Sequence, residues 1–387
     1  MSKYVILTGL IVSLISVACE KTTNPQEQVT FVKTFGGQFI DEGKSVIQSS
    51  DGGYVLAGYI ENSTTDKNVY VIKVDSKGNP LWERSIGGTD NEEAHEIRQT
   101  PDGGYIVVGE NSTDVLLIKI DSQGNLQWQK SIGGSGIDAG KSISLTNDGG
   151  YIICGYTYSY GAGNGDVYLV KTDGFGNVQW QRTFGGSDRD IGYSVIQMRN
   201  GWYAIAGLTY SFGNRVQIYL VITDNQGNLL WQHNYGGSTH DGAYSIQQTP
   251  DGDLVITGFM GTETYVENVA LIKTDSTGSL ILQRVYGGSS DDVGYSIKVL
   301  DDGSFIIVGK TRSFGAGGSD VYLLKTNSSG DIQWTKTFGG TSDDAGYSVF
   351  CADDGGYILT GVKDLNFTNN TGDILLIKTD SEGNTGE

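Results

Sequence analysis

With 387 residues, among them 58 Gly, 4 Pro, 22 Tyr and 12 Phe, the chain is long enough for a large core and too aromatic for disorder. A Gly-rich, Pro-poor, aromatic-rich composition suits many short strands joined by tight turns. The formal net charge of −19 excludes nucleic acid as a partner, because phosphate binding needs a positive surface.

Residues 1–18 read as a targeting segment rather than as fold. Lys3 supplies a short positive region, and the apolar run from Tyr4 to Val17 is shorter than the roughly 20 residues of a spanning helix. Ser16-Val17-Ala18-Cys19 resembles a bacterial lipobox, in which small residues precede the Cys that receives the lipid; ordinary secretion with cleavage nearby is the alternative. That resemblance makes Cys19 the lipidation site and residues 19–28 a flexible tether. The mature chain is then expected in the bacterial cell envelope, on the outer membrane or the cell surface, held to the membrane by its N-terminal lipid. Cys154 and Cys351 fall in different repeats, too far apart for the Cα separation of under about 7 Å that a disulfide needs, and read as small buried strand residues.

Beyond the tether, a Gly-Gly pair recurs at residues 36, 87, 133, 185, 236, 287 and 339, at spacings of 46 to 52 residues. Each of the seven units has the same grammar. In residues 287–338, an acid-bearing loop leads to a strand at Tyr295 to Leu300, an Asp-Gly turn and a strand at Ser304 to Gly309. A longer loop precedes a third strand at Val321 to Thr326, and a tight turn leads to a fourth at Ile332 to Phe338. The chain opens with a lone fourth strand, Val29 to Phe35, and ends with that strand missing from the last unit. The expected fold is therefore all-β: a seven-bladed β-propeller of four-stranded blades over residues 29–380, closed by the N-terminal strand, with residues 381–387 as a tail. The strand after each Gly-Gly loop should line the central channel. The outer strand carries Trp82, Trp128, Trp180, Trp231 and Trp334, with Phe31 and Leu282 in the same slot, a register that points to packing between blades.

The segment VLLIKIDSQGNLQW, Val115 to Trp128, resembles the repeats of quinoprotein-type propellers, in which a strand ends in Asp and a Gly turn leads to a Trp. Residues 29–380 are also similar to propeller lipoproteins and surface proteins of bacteria and archaea. Similar repeats occur in the lipid-anchored assembly scaffold of the Gram-negative outer membrane, which works by binding protein. The resemblance thus implies a binding scaffold, with a quinone-linked dehydrogenase as a further alternative.

An acid stands four residues after each second Gly: Asp41, Glu92, Asp138, Asp190, Asp241, Asp292 and Asp344. Around a ring they would sit at one channel mouth, either as a site for a cation or cationic ligand or as loop pins that accept backbone N–H bonds. Seven identical positions favour the pins. The second unit departs most: Glu92, Glu93, His95 and Glu96 offer groups for a metal or for acid–base work, though strand alternation lets only some converge; a drifted, solvated repeat is the other reading. Loops between second and third strands share a Ser-aromatic-Gly motif, placing Tyr160, Phe212 and Phe314 where they could bind a sugar or peptide or fold down onto their own blades. His95, His233 and His240 lack metal-ligand spacing, and no metal or cofactor is expected. The expectation is a binding or scaffold protein with a protein or glycan partner on the loop-rich face; the alternative is a polysaccharide-active enzyme using carboxylates at the channel mouth.

Overall fold

The computed structural model describes residues 28–386 apart from positions 64, 89, 214 and 238; residues 1–18, expected to be a targeting segment, and Cys19, the expected lipidation site, lie outside the described residues. The chain forms seven separate four-stranded antiparallel sheets. In order these blades span residues 42–86, 93–132, 138–184, 190–235, 241–286 and 292–338, and the seventh joins residues 343–379 to the N-terminal strand Phe31–Phe35. That strand pairs antiparallel with Thr371–Thr379, from Phe31 opposite Lys378 to Phe35 opposite Ile374. Gln28 ties the closure further, accepting from Ser381 N and donating to Asp354 O. Residues 380–384 repeat the turn that joins third and fourth strands elsewhere, with Asp380 accepting from the backbone of Glu382 and Asn384.

The core lies between blades rather than on the ring axis. Seven buried clusters each draw on two adjacent blades; the one between blades seven and one joins Ile358, Ile374 and Leu376 to Val46, Leu56 and Ile72. Fully burying each such side chain contributes about 1.5–3 kcal/mol. Third strands therefore read as largely apolar runs, as in Val115–Ile120, every residue of which is buried, Lys119 included, because both faces of the blade are covered. The outer strands face solvent on one side and alternate, as in Pro80–Ile86. Trp82, Trp128, Trp180, Trp231 and Trp334 pack on the turn glycine of the next blade, at Gly124, Gly176, Gly227, Gly278 and Gly383, and Phe31 does the same at Gly78. The aromatic slot is packing between blades, as its register implies.

The innermost strands begin earlier than the alternation suggests. In blade six the strand is Asp292–Val299, not Tyr295 to Leu300, because a β-bulge between Gly294 and Ser296 interrupts the two-residue period. The same bulge recurs in every blade, from Gly43/Ser45 to Gly346/Ser348.

Candidate functional site

The bulge organises the channel. Its extra residue, Lys44, His95, Lys141, Tyr193, Tyr244, Tyr295 or Tyr347, lines the upper channel, and the residue after it reaches the next blade. Ser45 Oγ accepts from Ile97 N, Ser142 from Val195 N, Ser194 from Ile246 N, Ser245 from Ile297 N, Ser296 from Val349 N and Ser348 from Val46 N, at 3.1–3.4 Å. Glu96 replaces Ser in blade two and keeps the ring continuous, its Oε2 accepting from Ile143 N at 2.7 Å.

The seven acids stand just above this ring and are turned away from the channel into their own loops. The six Asp are fully buried and Glu92 is 7% exposed. Each accepts from the second Gly of its own pair, from Gly37 N to Asp41 through Gly340 N to Asp344. Asp138, Asp190 and Asp292 also accept from Ser159, Ser211 and Ser313 Oγ at 2.6–2.7 Å, which ties down the Ser-aromatic-Gly loops. The first Gly of the pair is squeezed between two carboxylates. A Cβ on Gly185 would fall 2.3 Å from Asp190 Oδ2 and 2.4 Å from Asp166 Oδ1. Burial lifts Asp41 to about 6 despite its bonds from Gly37 and Glu61, and burial also raises Glu92 and Asp344. The loop aromatics lie over their own blades: Tyr160 on Tyr168, Phe212 on Tyr219 and Phe314 on Tyr322, with ring centroids 5.5–5.8 Å apart, while Tyr160 Oη donates to Gly133 O.

Of the four candidates in blade two, Glu93 and His95 converge, and Glu110 joins them. One ligand atom from each lies within 4.8 Å of the others. Glu92 is held by its loop, and Glu96 sits lower in the channel, paired with Arg98. Around the convergent three stand two lysines that motif reading misses. Lys141 Nζ donates to Glu110 Oε1 at 2.9 Å and contacts His95 Nε2 at 2.8 Å, while Lys67 pairs with Glu93 at 2.7 Å. Burial and the Lys141 charge depress His95, against the opposing pull of Glu110 and Glu93. Burial works against ionisation of Glu110, but the His95 hydrogen bond and the charges of His95 and Lys141 hold it down at about 2. Glu93 is likewise held below its usual range, against burial, chiefly by Lys67. A metal ion here would have to displace two ammonium partners, and neither carboxylate is a proton donor at neutral pH.

The ring of bulge residues is therefore split. Blades one to three contribute Lys44, His95 and Lys141, backed by Glu42, Glu93 and Glu110. Blades four to seven contribute Tyr193, Tyr244, Tyr295 and Tyr347 in an unbroken arc of edge-to-face and tilted rings, with centroids 4.9–5.3 Å apart, and Lys44 Nζ closes it 4.1 Å above the Tyr347 ring. The cavity between the two halves is about 100 Å³. The signal for this split is in the sequence, in one column of the aligned repeats, where Lys, His and Lys precede four Tyr.

No family model matches the chain, and neither does any curated sequence. Among solved structures it is similar to a protein of unknown function from Dyadobacter fermentans, at 14% identity and TM-score 0.51, covering 90% of this chain and 98% of that one. It is also similar to the Neurospora crassa Pan2 WD40 domain, at 10% identity and TM-score 0.52, covering 90% and 98%. Drosophila Plexin A, solved in complex with Semaphorin 1b, matches at 9% identity and TM-score 0.52, covering 92% and 88%. At these identities the likeness is one of fold alone.

Proposed function

We propose that the chain is an exported, lipid-anchored binding protein that presents its loop-rich face to a protein or glycan partner. The observation that supports this reading is the split channel mouth. It is a place where near-identical blades differ in kind, and it sets charged hydrogen-bonding groups opposite an aromatic wall. Such a pairing suits a sugar or a peptide side chain. A cavity of about 100 Å³ admits only the tip of a partner, so the flanking loops supply the remaining contact. Their aromatics Tyr158, Tyr210, Tyr265 and Phe367 are exposed and would contribute to it.

The convergence of Glu93 and Glu110 is the feature that favours the second reading, a polysaccharide-active enzyme. Against it, a glycosidase needs one carboxyl group kept protonated, and both of these are held ionised by lysine and histidine partners. The test is capture from envelope extract and on a glycan array by wild type and by Tyr244→Ala and Lys44→Met variants. Retention by wild type that both variants lose supports binding at the mouth. An empty array and extract, or equal retention by the variants, overturns it.

A further inference from the structure

The channel has a second chamber, at the end remote from the acids. It is a cavity of about 490 Å³ where the innermost strands finish and turn. Its walls combine apolar side chains, Ile47, Ile196 and Phe350, with three cations, Arg98, Lys298 and the exposed rim residue Arg199, in a chain whose net charge is −19. Arg199 is tied to the rim by a bond to Pro250 O. Arg98 and Lys298 come from blades two and six, on the innermost strands Glu93–Gln99 and Asp292–Val299.

The charges at this level do not balance. Among the described residues lining the two channel cavities, Glu96 is the sole carboxylate. It is already committed, to Arg98 and to Ile143 N. Lys298 feels Arg98 and Glu96 from blade two and Cys351 from blade seven, so among the described residues lining the channel it shares its one carboxylate with Arg98. Desolvation, followed by the Arg98 charge, brings its pKa down to about 8. Two half-buried cations sharing one carboxylate destabilise the empty protein, and an anion supplied from outside would offset that cost.

We propose that the lower chamber binds an organic anion, a carboxylate carried on an apolar body, with its charge seated between Arg98 and Lys298 and its body against Ile47, Ile196 and Phe350. The chamber falls in the size range of small-molecule sites, and its wall offers both apolar side chains and hydrogen-bonding groups, glutamines among them. The site is independent of the loop-face reading, because the two cavities lie at different levels of the channel.

Calorimetric titration of the full chain with decanoate, decanol and inorganic phosphate tests the proposal. Decanoate is expected to bind, with decanol and phosphate each at least about tenfold weaker, since one lacks the charge and the other the apolar body. Lys298→Met keeps the volume and removes the charge, and should weaken decanoate by about tenfold or more. A second readout needs no variant. Wild type near pH 8 should take up a proton as decanoate binds, seen as a heat that varies with the ionisation enthalpy of the buffer. Equal binding of decanol and decanoate, equal binding of phosphate, unchanged affinity in Lys298→Met, or no proton uptake would each overturn the proposal.

Discussion

Replacing Asp354 by Asn should destabilise the protein far more than replacing Asp354 and its partner together, and the chain already contains the template for the double change. In blade seven Lys378 is fully buried, with its Nζ 2.8 Å from Asp354 Oδ2 and 2.9 Å from Thr379 O. The same pair recurs as Lys73–Asp51, Lys119–Asp102 and Lys171–Asp148. Blade four dispenses with it: Ile222 occupies the lysine slot inside an apolar cluster, and Asn200 occupies the aspartate slot, still accepting from Trp202 N as Asp354 accepts from Gly356 N. Asp354→Asn preserves that turn bond but takes the Asp354 carboxylate away from a buried ammonium, at a cost of about 3 kcal/mol. Lys378→Ile leaves a carboxylate 24% exposed, which water can solvate, so its cost is about 1–2 kcal/mol. The double variant should fall within about 1 kcal/mol of wild type, a coupling of about 3 kcal/mol. Urea denaturation at pH 7, followed by tryptophan fluorescence, measures all four corners of the cycle. A double variant as unstable as the two single losses added together would refute the reasoning.

Further predictions follow from the same geometry. Gly361→Ala would set a Cβ 1.8 Å from Ala345 O and should cost about 3 kcal/mol or more, whereas Gly340→Ala meets nothing within 4 Å and should stay within about 1 kcal/mol of wild type in the same denaturation assay. Glu110 has a folded pKa of about 2, below its unfolded value, so its stabilisation is complete above about pH 4.5 and is lost as pH falls toward 2. The acid limb of stability against pH should therefore be shallower in Glu110→Gln than in wild type, and parallel limbs would contradict the assignment. Deleting residues 28–35 exposes the edge of Thr371–Thr379, so the protein should melt lower and self-associate in size-exclusion chromatography; an unchanged monomer would count against closure by this strand.

The architecture was legible because it repeats. Seven Gly-Gly pairs, a lone strand at the start and a missing one at the end prescribe the ring, and the tryptophan column prescribes the contact between blades. The start of the innermost strand was not legible, since the bulge at Gly294 and Ser296 shifts the alternation that marks a strand. The site was legible only in part. His95 and Glu93 stand out as departures from the repeat, but Glu110 lies across the hairpin and Lys141 is 46 residues from His95; only closing blade three against blade two makes them neighbours. The acids illustrate the converse. Their spacing marks a ring, yet orientation decides their role, and that follows from backbone N–H groups whose direction no spacing reveals.

Hydrogen exchange of the chain with and without a partner captured from envelope extract or a glycan array tests the central claim most directly. The account predicts slowed exchange where the innermost strands begin, around residues 42–45, 93–96 and 241–245, and in the neighbouring loops between second and third strands. Slowing confined to the outer strands, such as Leu126–Ile132, with the channel mouth unchanged, would contradict it.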